Sequence, residues 1–571
     1  TVTLSGSISD TGTGILVQNG TGGTVTFSGA TKVLNTGASA AVTLSSNTGA
    51  TISFVDSLKV TTTSGNGFSA TGGGTVTVTG THNAITSTTG TALNVHNTTI
   101  GAAGLTFRSI THAGGANGIF LSGTGSSGGL TVTGSGTAGS GGSITNTTGT
   151  DGATAGNGIY LSGTRNVSLS GMALSGHQNN GLFGTGVRGL TMNKVRFTGN
   201  NGTSNSAAFQ EGAVNLVDLG GAVKLTNSRF DGAAFNAVRV ENNTGTAPVL
   251  DSLVLENDTV EFMQGSTADV RNTALLVSLT DGTADTRIRN NRVTYWWGLG
   301  IHVLVQGTAS GTTRISNNFV DNTNGALAGA AGIAVLGGNH AYNISGNSVR
   351  HTNGTAISAD RVAAGANMNG TIDGNAVGVS GDANSGTFTG IGIFASSHGP
   401  GTTTVKISNN VLRQINGSAS GAITTVTGDA LAFGGSGTMN ATIQGNNIQE
   451  SGTTVNNAQH GILVTHGTQS GPPNDTHQGC YDVGGAGALA NSITNFTSGT
   501  ANNRIRVNQR FGTTSRWPGY TGAATGVTSE TDMATYLLNR NTASTSTNAN
   551  TSTGGFLNTS PAGSACPQPS M

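Results

Sequence analysis

The chain has 571 residues, of which 94 are glycine, 24 basic, 24 acidic and only 8% charged. The balanced charge and the absence of any basic block argue against a nucleic-acid partner. No apolar run reaches the roughly 18 residues of a membrane helix, which argues against membrane insertion. High glycine often accompanies disorder, but this chain is dense in Thr, Val and Ile, which favour a pleated, half-buried surface. Composition therefore predicts an all-β protein with many tight turns.

Thr1-Val2-Thr3-Leu4-Ser5-Gly6 already reads as a strand, so a processed form or an excerpt of a longer chain is expected. Residues 1–160 are low in complexity, yet the Val/Thr alternation of Thr71 to Gly80 still has the period of strands with one buried face. Short apolar strands led by Gly-Ile begin at Gly118-Ile119 and Gly158-Ile159 and recur at Gly300-Ile301, Gly332-Ile333, Gly392-Ile393 and Gly461-Ile462.

From residue 192 a six-residue pattern recurs: apolar, any, Asn or Gly, Asn, any, apolar. Six close copies begin at Ile288, Ile315, Ile344, Ile372, Ile407 and Ile443, after degenerate ones at Met192, Leu225 and Leu255. The copies are 27 to 36 residues apart. A sandwich has no such fixed repeat of equivalent positions, whereas a coil of about 30 residues would pair each strand in parallel with its copy about 4.8 Å away. The first and sixth positions then form inward apolar columns. The fourth position (Asn291, Asn318, Asn347, Asn375, Asn410, Asn446) forms a structural amide ladder at the corner, where asparagine also tolerates left-handed backbone. Val195, Ser228 and Asp258 hold that corner in the degenerate copies, so a less regular ladder is expected there.

These repeats resemble the right-handed parallel β-helix (β-solenoid) repeats of the pectate-lyase-like superfamily, and are similar to the large β-strand-repeat proteins exported by Gram-negative and related bacteria. The resemblance covers about residues 1–470 and specifies architecture far better than activity. It implies a chain at the extracellular surface of a bacterium. The predicted organisation is Gly/Thr-rich solenoid coils over 1–160, regular β-helix with the Asn corner over 161–469, and a cap over 470–571. The cap holds the only two cysteines, Cys480 and Cys566, which fit one disulfide in an oxidising compartment. Gly471 to Asp475 reads as a break, Ser529-Glu530-Thr531-Asp532 opens one short helix, and Asn541 to Gly555 reads as a linker.

Polygalacturonase-type hydrolases need an Asp-Asp pair and a Gly-His-Gly motif, and neither is present. The nearest histidine context, Ser397-His398-Gly399-Pro400, lacks carboxylates around it in sequence. A lyase-like acidic and basic cluster could be built from Asp281, Asp285, Arg287 and Arg289, but surface ion pairing is the plainer account. No catalytic residue, metal site or cofactor is assigned. Candidate glycan contacts are Arg196, Arg229 and Arg292, which share the fifth repeat position, with Trp296 and Trp297 of an unusual aromatic run; a solvated face and corner packing are the plainer readings. The expected role is a structural or adhesive solenoid whose partners are copies of itself, as in a head-to-tail filament, or neighbouring surface components and glycans. The alternatives are a polysaccharide-binding or polysaccharide-degrading enzyme and a phage-type recognition spike.

Overall fold

The computed structural model describes the chain except residues 244–248, 262–271, 324–329, 363–364, 417–420, 429–436, 450–459, 468–475, 495–501, 511–512, 521–529, 544, 551–555, 559–564 and 571. Of residues 502–504, 514, 530–531, 545–550 and 556–558, the backbone alone is described. The Gly471–Asp475 break and Ser529 lie outside the described residues. The chain divides into two compact units, Thr1–Leu276 and Val277–Met571.

Each unit is a β-solenoid. Successive strands cycle through three parallel sheets, so each strand pairs with the one three strands later. In the first unit, Thr51–Val55 pairs with Thr75–Thr79 in the first sheet, Leu58–Thr62 with Ala84–Ser87 in the second, and Phe68–Thr71 with Leu93–His96 in the third. Side chains of period two put Val76 and Val78 inside and their threonine neighbours outside. The low-complexity N-terminal sequence is thus built on the same coil. Stacking repeats each inward column: Leu169, Met192, Leu225 and Leu255 lie in register, and Ile119, Ile159, Leu182, Val214 and Val238 form another. Full burial of such a side chain stabilises by about 1.5–3 kcal/mol. Phe27 stacks on Phe54 with ring centroids 4.6 Å apart, and Phe197 on Phe230 at 5.5 Å.

In the second unit the columns are more uniform. The first sheet aligns Ile288, Ile315, Ile344, Ile372, Ile407, Ile443 and Val483. The second aligns Val293, Val320, Val349, Val377, Leu412, Ile448 and Ile493. Between these sheets runs the asparagine corner. Asn347 Nδ2 donates to Ile315 O at 2.9 Å and to Asn375 Oδ1 at 2.9 Å, while its backbone N–H donates to the same Oδ1 at 3.0 Å. Asn318, Asn375, Asn410 and Asn446 repeat this arrangement. Asn291 is the first rung, donating to Asn318 Oδ1 at 3.0 Å.

One expectation about this corner is corrected. The left-handed residue is the third of the six, not the fourth: Asn290, Asn317, Gly346, Gly374, Asn409 and Gly445 have φ between 56° and 65°. This explains why that position holds only Asn or Gly in the close copies, since other side chains are penalised there. The fourth position is held to Asn by its hydrogen bonds instead.

The pairing also runs on where the sequence pattern stops. Gln478–Val483 pairs with Gly437–Gln444, Ser492–Ile493 with Asn447–Ile448, and Asn502–Gln509 with His460–His466. The corner ladder extends through Asn491 to Asn541, at 2.9 Å and 2.8 Å. Part of the expected linker is a strand, Thr545–Asn550, paired with Asn502–Gln509. The helix Glu530–Arg540 buries Met533 and Leu537, and Tyr536 donates its hydroxyl to Pro518 O at 2.7 Å. Cys480 and Cys566 form a disulfide. It ties the terminal segment across outward columns of the first sheet, where Gln568 donates to Thr442 Oγ1 at 2.7 Å and Asn369 to Ser570 O at 2.7 Å.

Candidate anion-binding groove and neighbouring sites

The outer face of the first sheet carries a groove of about 660 Å³ in the first unit. Arg165 starts the strand Arg165–Ser170 and Arg188 starts Arg188–Asn193, and the two are direct partners in register. The residue after each has left-handed backbone: Asn166 at φ 53° and Gly189 at φ 76°. The next coil replaces the arginine column with Gly220, and Gly221 and Ala222 bring no bulk to the floor. A groove results because two long side chains stand beside positions that have almost none.

Electrostatically this pairing is unfavourable. Like charges directly opposite on neighbouring strands repel by a few tenths of a kcal/mol to about 1 kcal/mol. Neither Arg165 nor Arg188 makes a side-chain hydrogen bond or ion pair among the described residues. Asp251 lines the far side of the groove and forms no ion pair with either. Two guanidinium forks on adjacent strands, neither of them ion-paired among the described residues, suit a carboxylate- or sulfate-bearing ligand.

The sequence-predicted arginines lie elsewhere. Arg196 and Arg229 are register partners on the second sheet. Arg196 is exposed, while Arg229 is held by Asp231 and, at 2.6 Å, by Glu261. Arg292 belongs to the second unit and lies over the Phe319 ring, 4.7 Å from its centroid, with Arg350 at 5.0 Å from the same ring. Trp296 is corrected outright: it is 1% exposed and fills the corner, so its indole is closed to a glycan. Trp297 is half-buried. In the acidic and basic cluster, Asp285 binds Arg287 and, at 2.6 Å, Arg314, while Asp281 accepts from Thr308 Oγ1 at 3.1 Å. These ionic partners are mutually satisfied.

Two histidine arrangements were invisible in sequence. His398 does have a carboxylate beside it, contrary to its sequence context: Asp360 Oδ1 lies 3.1 Å from Nε2, brought there by the preceding coil. Beside them Arg361 is fully buried, donating to Gly399 O, Pro400 O and Ser397 Oγ at 2.6 to 2.9 Å, which is an anchor for the turn. His351 sits between two acids, with Nδ1 2.8 Å from Asp321 and Nε2 3.4 Å from Asp382, in a pocket of about 220 Å³. The hydrogen bond with Asp321 raises the pKa of this imidazole. The carboxylates bind opposite ring nitrogens, so they do not converge on one point. Among the described residues there is no group of three or more His, Cys, Asp or Glu side chains able to hold a metal ion.

The sequence reading also passed over a second amide column, ahead of the third sheet. Asn117 donates to Asn157 O at 2.9 Å, and Asn157 Oδ1 accepts from Asn180 Nδ2 at 3.0 Å. The available signal was the Asn before the Gly-Ile and Gly-Leu pairs at residues 117, 157 and 180.

No family model matches the chain. No curated protein matches it either. Among solved structures it is similar to the Dettilon tailspike protein (gp208), with 12% identity and a TM-score of 0.23, over 66% of this chain and 62% of that one. The chain spans less than two thirds of that tailspike's length, and the likeness is one of fold alone.

Proposed function

We propose that this chain is an extracellular recognition solenoid, and that the outer face of the first sheet in its first unit holds an anionic polysaccharide. The reading is carried by the Arg165–Arg188 register pair, which lines a groove and forms no ion pair among the described residues. A polyanion with regularly spaced carboxylates would relieve the cross-strand repulsion and gain charge-assisted, fork-shaped hydrogen bonds. The disulfide supports an oxidising, extracellular setting. The solenoid is then a rigid, adhesive scaffold for the groove.

The test is binding of the whole chain to immobilised polygalacturonate at two salt concentrations, with neutral dextran as control. Salt-sensitive binding to the acidic polymer is expected, and the R165A/R188A double variant should weaken it by at least about tenfold. Equal binding to dextran, or full binding by the double variant, would overturn the proposal.

A further inference from the structure

A second cavity of the first unit points to a different chemistry. It measures about 260 Å³ and lies at the corner before the third sheet, just below the usual size of a drug-sized ligand site and suited to a smaller molecule. Its wall includes Tyr160, Phe183, Phe209 and Glu211. Tyr160 and Phe183 belong to an outward ring column, stacked at 5.6 Å, with Phe120 continuing it at 5.0 Å from Tyr160. Phe209 is 40% exposed at the rim.

Glu211 is the anomalous member. Its side chain is fully buried. Oε2 accepts the backbone N–H groups of Thr203 at 2.9 Å and Ser204 at 2.8 Å; the Gly152 N–H interacts more weakly with the carboxylate, and Oε1 has no partner at normal hydrogen-bond geometry. No cationic side chain pairs with it among the described residues. The nearby charge of Asp151 is a second negative one. A buried carboxylate without a counter-ion is costly, and the cost is offset by taking up a proton or by pairing with a cation. Burial raises its pKa, in keeping with that absence. Among the described residues Glu211 belongs to no group of three His, Cys, Asp or Glu side chains able to hold a metal ion, although Thr154, Asn157 and Asn180 also line the cavity. Aromatic rings around a carboxylate suit an organic ammonium group instead.

We propose that the Glu211 pocket binds a small primary-ammonium ligand, with Tyr160, Phe183 and Phe209 as its aromatic wall and the Glu211 carboxylate, buried behind the pocket surface, as counter-charge. The observation is independent of the arginine groove, so either proposal can fail without the other.

The experiment is calorimetric titration of the whole chain with glucosamine hydrochloride and with methylammonium chloride, using glucose as the neutral control. Glucosamine is expected to bind saturably and glucose not at all. E211Q should abolish the response while keeping an oxygen to accept the Thr203 and Ser204 amides. F209A, at an exposed position, should weaken binding about tenfold. R165A/R188A should leave it unchanged. No saturable heat with either ammonium probe, equal binding of glucose, or an unaltered response in E211Q would overturn the proposal.

Discussion

The two units use one coil but satisfy their polar columns differently. On the outer face of the first sheet each has an arginine register pair, Arg165 with Arg188 in the first unit and Arg287 with Arg314 in the second. In the second unit Asp285 binds both arginines, and the column is a closed ionic cluster. In the first unit no acid takes that place. The corner columns diverge too. The second unit has an unbroken amide ladder, whereas the first substitutes Val195, Ser228 and Asp258. There Val195 N–H donates to Ser228 Oγ at 3.1 Å, and Ser228 N–H donates to Asp258 Oδ1 at 2.8 Å. Stacking thus makes every residue choice in one coil a boundary condition for the next. An unpaired charge or a substituted corner stands out only against a neighbour that completes the column.

This contrast can be broken most forcefully at the corner. Replacing Asn347 by Leu removes its donation to Ile315 O and leaves the Asn318 N–H and amide without their acceptor, Asn347 Oδ1. A loss of about 3 kcal/mol or more is expected, seen as a fall in the denaturation midpoint of the second unit. Ser228→Ala in the first unit should cost only about 1 kcal/mol, because the one group it leaves without its partner is the Val195 N–H; Thr226 O, which loses the Ser228 hydroxyl, still accepts from Lys194 N–H at 3.1 Å. Equal losses would erase the distinction between the two corners.

Asp258 offers a pH-dependent version. Burial pushes its carboxyl up to about 7 from an ordinary value near 3.8. The protonated form is therefore favoured by folding. The contribution is fully present below about pH 4 and is lost as pH rises through about 7. Asp258→Asn keeps an oxygen for the Ser228 N–H and cannot ionise. It should stabilise the first unit at pH 8 by about 2 kcal/mol and by nearly nothing at pH 4, measured as melting midpoints at the two values. Stabilisation of the same size at both would contradict a buried titrating carboxyl.

The smallest effect on stability, and the sharpest on binding, is expected from Asp285→Asn. Exposed ion pairs are worth under about 1 kcal/mol, so the midpoint should scarcely move. Yet the variant frees Arg287 and Arg314, recreating in the second unit the uncompensated pair of the first. A new salt-sensitive increment of polygalacturonate binding is the expected result. If it does not appear, missing counter-charge is an insufficient account of the groove.

Much of the second unit was legible before folding. The six-residue spacing placed Ile288 through Ile443 in one column and Val293 through Ile448 in another, because each turn of a solenoid returns equivalent positions to the same place. The ladder's extension to Asn491 was hidden because seven residues, 484–490, separate Val483 from its corner where the regular copies have two. The site was much less legible. Arg165 and Arg188 lie outside the repeated pattern, and nothing along the chain marks Arg287 as neutralised and Arg165 as not.

Amino-acid order alone therefore determined the winding. Alternating apolar and hydroxyl residues, Asn or Gly at the left-handed turn and a period near 30 leave few other ways to bury the same columns. Which charges meet, and which are left alone, was decided by stacking in three dimensions. Asp285 reaches Arg314 on the next coil, Asp360 reaches His398 across a coil, and Trp296 turns inward, because each coil's length sets what lies above it. Those lengths vary with the intervening loops, whose conformations are not encoded in the repeat.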